Sequence, residues 1–203
     1  LLPQQHHRTH PYTGAAPGGW AWTDLPGGVP DADDTAGALL ALHRLAPGEP
    51  RVQTAAAAGL AWLLDLANRD GGIPTFCHGW GRLPFDRSCP DLTAHALHAF
   101  VRWEPAVPRD LRRRLHRAVG DGLRYLRAAQ RADGSWLPLW FGNEAAPGHA
   151  NPVYGTARVL RALAEVLPAA AASRPEWVET AVAWLIAAQS PDGGWGGDRG
   201  VEP

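Results

Sequence analysis

The segment Gln130-Arg-Ala-Asp-Gly134-Ser-Trp136 returns as Gln189-Ser-Pro-Asp-Gly193-Gly-Trp195, and this Gln-x3-Gly-x-Trp repeat limits the fold more than any other feature. Ala67-Asn-Arg-Asp-Gly71-Gly-Ile73 is a weaker copy, and Pro17-Gly-Gly-Trp20 reads as the tail of a fourth. A period of about sixty residues is long for a hairpin and suits two helices with a substantial connection. Apolar residues at three- and four-residue steps predict helices over 35–45, 52–67, 92–103, 108–130, 153–167 and 176–189, with no convincing strand. Asp-Gly pairs at 70–71, 133–134 and 192–193 fall where helices should stop, since glycine accepts the left-handed conformation past a helix end. The Gln and Trp have a structural reading. The indole covers the turn, and the amide satisfies polar groups exposed at the helix end.

The acidic run Asp31-Ala-Asp33-Asp34-Thr35 opens the first long helix. Asp before an apolar helix is a common N-cap, and Asp31 or Asp33 could serve as one. Three carboxylates in four residues, followed by an apolar run, also crowd like charges where water is scarce. One of them is then expected to stay protonated at neutral pH and to be available as an acid.

Composition narrows the function classes. The chain has 203 residues, 45% of them hydrophobic, with a net charge of −1 from 19 basic and 20 acidic side chains, so nothing suggests a nucleic-acid binder. The densest basic cluster, 109–117, shares its helix with Leu111, Leu115 and Val119 and reads as a solvated face. The absence of Met predicts a stretch of a longer protein. No signal peptide or membrane-spanning run is evident. Cys77 and Cys89 form neither a Cys-x-x-Cys pair nor a disulfide framework, so reduced thiols and no metal are expected. His6, His7 and His10 lie among Pro and Gly in a loop and make a poor metal cluster.

Together, the Gln-Trp repeats and Asp31-Ala-Asp33-Asp34-Thr35 resemble the squalene-hopene cyclase family of class II triterpene cyclases, over essentially the whole chain. Gly18-Gly19-Trp20-Ala21-Trp22, Asp91-Leu-Thr-Ala-His95 and Val153-Tyr154-Gly155-Thr156 add local matches in the same order. The resemblance implies an all-α fold, an α/α-barrel (toroid) of paired helices, with residues 1–203 forming part of one barrel domain. It also implies proton-initiated cyclisation of squalene or a related linear polyprene to a polycyclic triterpene, without a cofactor. By the same resemblance Asp33 is the proton donor, Asp31 and Asp34 are its neighbours, and His95 contacts and strengthens it. Trp22 and Trp140 then line the substrate cavity. Tyr154 lines it too and can join a water chain returning the proton to Asp33. Aromatic faces suit this task, because they stabilise cations without forming a bond. Trp62, Trp103, Trp177 and Trp184 sit in helical patterns and are expected in the core.

The segment 73–90 departs from a full repeat. Its Cys77-His78-Gly79-Trp80 and Pro84-Phe85-Asp86 differ from hopene-forming enzymes, which leaves substrate and product open. Protein prenyltransferase β-subunits share the architecture but hold zinc through an Asp-x-Cys pair, a spacing that Asp86 and Cys89 lack. A cyclase of shorter or prenyl-diphosphate substrates would need a basic, Mg²⁺-supporting pocket, which the sequence does not reveal. A non-catalytic lipid-binding protein of the same fold is the alternative from a different class. The expected partners are a linear isoprenoid and, by resemblance alone, the cytoplasmic face of a membrane. A homodimer is left open.

Overall fold

The computed structural model describes residues 1–75, 86–167 and 174–196. Cys77, His78, Trp80 and Phe85 lie outside the described residues. Six helices carry the fold: α1 (Ala32–Leu45), α2 (Pro50–Leu66), α3 (Pro90–Trp103), α4 (Arg109–Ala129), α5 (Pro152–Val166) and α6 (Glu176–Ala187). Three of them, α2, α3 and α5, begin on the proline that periodicity alone passes over. Proline suits that position because its fixed φ is already helical and its missing N–H would have no partner there. Among the described residues there is no strand, only single antiparallel bridges joining Trp20 to Asp31 and Ile73 to Cys89. Nor is any described helix long and apolar enough to cross a membrane.

The helices form two rows. α3 packs between α1 and α5 in one row, while α2, α4 and α6 each pack behind the helix that precedes them in sequence. This is an arc of an α/α-barrel. Leu39, Leu60, Leu63, Leu97, Phe100 and Trp103 are fully buried between the rows, and the Trp103 indole donates to Leu39 O at 2.8 Å. Trp62 is also core, whereas Trp177 and Trp184 are only partly buried.

The repeat is more regular in space than in sequence. Each inner-row helix carries a buried Thr whose hydroxyl accepts a backbone N–H from the preceding turn. Thr35 accepts from Trp20 at 2.9 Å, Thr93 from Ile73 at 2.8 Å and Thr156 from Trp136 at 3.0 Å. The degraded copy at 67–73 keeps the complete turn. Asp70 Oδ1 accepts from Gly72 N–H just as Asp133 Oδ1 accepts from Ser135, and Gly71 (φ +87°) matches Gly134 (φ +94°). The fourth copy also has its glutamine. Gln5 donates to Gly18 O at 2.8 Å and Ala55 O at 2.9 Å, as Gln130 donates to Gly134 O and Trp177 O, both at 2.8 Å. The division of labour differs from the sequence expectation. It is the indole N–H of Trp136 that satisfies a helix-end carbonyl, Leu126 O, while the glutamine amide ties the turn to the next outer helix.

Candidate active site

The three threonines put α1, α3 and α5 in a common register. Two residues before each Thr stand Asp33, Asp91 and Tyr154, and two residues after stand Gly37, His95 and Arg158. Because the three helices lie side by side, these positions converge. Asp33 Oδ1 lies 2.7 Å from His95 Nδ1 and 3.0 Å from Arg158 Nη2, with 3.1 Å between the two nitrogens. Gly37 fills the third equivalent slot, where even a Cβ would lie 3.8 Å from His95 Cε1.

The three acidic residues of α1 have different surroundings. Asp31 is the N-cap and is buried, and its Oδ1 accepts from Asp34 N–H at 2.8 Å. Burial pushes its carboxyl up to about 9, aided by the neighbouring Asp34 and Asp33 charges. Asp33, one turn position further on, faces the cations. Burial would raise its proton affinity, but the His95 hydrogen bond and the His95 and Arg158 charges outweigh that and hold it below the usual carboxylate value. The sequence leads one to expect a single protonated carboxyl in this run, acting as the donor. Burial raises the proton affinity of Asp31, whereas the contacts that make a stronger acid fall on Asp33, because capping turns Asp31 inward and leaves Asp33 on the shared face.

Other predicted residues gather at the same end of the helices. Arg158 lies 5.9 Å from the centre of the Tyr154 ring, which packs against Phe141 at 5.0 Å. The Trp140 indole hydrogen-bonds the Thr75 hydroxyl, and Thr75 O accepts the N–H of Ala32, the first residue of α1. Trp22 is 57% exposed. Asp91, at the position equivalent to Asp33, is fully buried. Its Oδ1 takes the Cys89 thiol at 2.7 Å, and its Oδ2 has no partner among the described residues. Burial raises both the Asp91 carboxyl and the Cys89 thiol.

Beside His95 and Arg158 lies a basic cleft of about 590 Å³, lined in part by His43, Arg44, His98, Arg102, Arg158 and Arg161. Glu165 pairs with Arg102 at 2.6 Å, while no described carboxylate lies within ion-pair distance of Arg44 or Arg161. Burial lowers His98 to about 4; the Glu165 charge works against this, and nearby cations, Arg102 first, reinforce it. A basic pocket therefore exists that no local run of charge announces.

Residues 9–201 match the squalene-hopene cyclase C-terminal domain family. A probable squalene-hopene cyclase of Sinorhizobium fredii is 33% identical over 196 residues, covering 90% of this chain and 28% of that protein. Drimenyl diphosphate synthase of Streptomyces showdoensis is 33% identical over 171 residues, covering 82% of this chain and 27% of the other. In three dimensions the chain superposes on the ent-copalyl diphosphate synthase from Streptomyces platensis with a TM-score of 0.59 and 30% identity, covering 87% of this chain and 29% of that one. The chain thus spans less than a third of the length of these proteins. The family match over residues 9–201 and the 33% identity to the Sinorhizobium fredii protein, on an all-helical fold, show that the chain belongs to the squalene-hopene cyclase family of class II terpene cyclases.

Proposed function

We propose that this chain carries the acid of an enzyme that cyclises a linear isoprenoid by protonating its terminal alkene, with squalene or a related polyprene going to a polycyclic triterpene. The observation that carries this reading is the 2.7 Å contact between Asp33 and His95. Alkene protonation breaks the O–H bond of Asp33 and uses the π pair to form a C–H bond, leaving a carbocation on the substrate and a carboxylate on the enzyme. The next double bond attacks the cation, and the sequence ends when a proton is lost. An imidazole donating to the carboxylate stabilises charge that appears only as the proton leaves, which is the kind of interaction that accelerates the step. The exposed aromatic faces of Trp140 and Phe141 suit a cationic intermediate.

The basic cleft supports a second reading, in which the isoprenoid bears a diphosphate. Names such as drimenyl diphosphate synthase among the relatives point the same way. Both readings use the same acid. Incubating the full-length protein with squalene and, separately, with geranylgeranyl diphosphate distinguishes them by which substrate yields a ring-containing product. Asp33→Asn is expected to abolish product from either, and undiminished cyclisation by that variant removes Asp33 as the acid.

Asp31 supplies an independent check on the proton inventory. Its affinity is raised in the folded state, so the folded protein binds the proton more tightly than the unfolded chain does. Stability from this group is complete in acid and declines as pH rises from the ordinary carboxylate range toward about 9. Asp31→Asn keeps an N-capping oxygen and removes the charge. Its melting temperature should match the wild type near pH 4 and exceed it at pH 8.5, and equal melting temperatures at the higher pH contradict a protonated Asp31.

A further inference from the structure

Arg158 sits beside the acid without obvious structural reason. A guanidinium placed 3.1 Å from His95 Nδ1 brings two cationic-type donors together, an arrangement that costs stability unless one acceptor holds both. That acceptor is Asp33 Oδ1, and the three atoms form a nearly equilateral triangle with sides of 2.7, 3.0 and 3.1 Å. Both donors fall on the same carboxylate oxygen. Asp33 Oδ2 accepts no hydrogen bond from any described residue. Arg158 is 28% exposed and Asp33 33%, so the pair is partly withdrawn from water and its interaction is screened less than on an open surface. The guanidinium carbon stands over the Tyr154 ring at 5.9 Å from its centre, within cation–π range.

We infer that Arg158 is a positioning residue for the acid: with His95 it saturates Asp33 Oδ1, leaving Oδ2 as the atom that carries the transferable proton. The inference rests on the cyclase reading above and goes one step further, since that reading needs only His95. Two donors on Oδ1 stabilise the carboxylate left behind after proton transfer, so the protonated form is a stronger acid than a carboxyl held by one imidazole. They also fix the plane of the carboxyl group, so that Oδ2–H points one way. Other ionisable groups near this triangle are Asp31 at the N-cap and Asp34 in α1, Asp91, His98 and Arg102 on α3, and Tyr154 and Arg161 on α5. None of these is a cation in hydrogen-bond contact with Asp33. Repeat position supports the assignment, because Arg158 holds in the third repeat the place that His95 holds in the second.

The test uses the full-length protein and two variants, Arg158→Gln and Arg158→Lys. The first readout needs no substrate: the Asp33 carboxyl is titrated by ¹³C NMR of aspartate-labelled protein, with Asp33→Asn identifying the resonance. Removing the guanidinium should raise the Asp33 midpoint by about a unit in Arg158→Gln, and Arg158→Lys should fall between that and the wild type. An unmoved midpoint in Arg158→Gln overturns the inference. The second readout is the pH profile of cyclisation on whichever isoprenoid is turned over. Since Asp33 acts when protonated, the alkaline limb of kcat/KM should move to higher pH in Arg158→Gln. The plateau should fall about tenfold or more with KM little changed, because a weaker acid slows the chemical step. A loss of activity without movement of the limb marks a merely structural arginine and also overturns the inference. The cyclase reading fails separately, through retention of activity by Asp33→Asn.

Discussion

The turns at 130–136 and 189–195 have the same internal hydrogen bonds and very different surroundings. In each, the Gln amide donates across the turn, to Gly134 O at 2.8 Å or Gly193 O at 2.7 Å. In each, the indole N–H reaches back to a helix carbonyl at 2.8 Å, Leu126 O or Leu185 O. Beyond the turn the likeness ends. Gln130 makes a second bond to Trp177 O in α6, Trp136 N–H is held by Thr156, and Trp136 is fully buried with Trp177 edge-on at 6.0 Å. Trp195 is 49% exposed, and Gln189 makes its bond within the turn. The motif thus forms the same local shape in both places, and at 130–136 it is in addition tied to the helix pair that follows it.

That contrast can be broken by substitution. Trp136→Ala deletes a buried indole and strands the Leu126 carbonyl, and it should cost about 3–5 kcal/mol in denaturant unfolding. Gln130→Ala removes two bonds, one of them between repeats, and should cost about 1–2 kcal/mol. In the 203-residue chain itself, Trp195→Ala should cost under about 1 kcal/mol, because half of its surface already meets water there. Equal losses for the two tryptophans would mean that the turn geometry, not the cover, carries the energy. A Gln130→Ala loss no larger than that of Gln189→Ala would discount the bond to Trp177.

Helix positions were legible because burial of one face imposes its period on the residues. All six expected spans coincide with observed helices, and the starts of α2, α3 and α5 move onto Pro50, Pro90 and Pro152. Three things were hidden. Gln5 escaped notice because its loop to Gly18 is longer than the loop from Gln130 to Gly134. The exchange of proton affinities between Asp31 and Asp33 depends on which carboxyl the cap turns inward, which a string of acidic residues does not state. The basic cleft is spread over three helices far apart in sequence, so no local charge run announces it. A signal was nevertheless present. Counting from Thr35, Thr93 and Thr156 aligns His95 with Arg158, and the same count aligns Arg44, Arg102 and Glu165. Laying the repeats on their threonines, in place of the more conspicuous tryptophans, would have brought Arg158 to notice.

The threonine hydroxyls also bear on how such a protein can change. Since each inner helix is held by a backbone N–H on Thr35, Thr93 or Thr156, that attachment does not depend on the residues two places on. They behave as interchangeable fittings on a fixed frame, here empty at Gly37, an imidazole at His95 and a guanidinium at Arg158. On the proposed reading, replacing a fitting retunes Asp33 while the threonine attachments stay whole. Inserting one residue between a threonine and its fitting turns the side chain about 100° around the helix and removes it from the shared face. Variation at this end of the molecule should therefore run through substitutions and avoid changes of length.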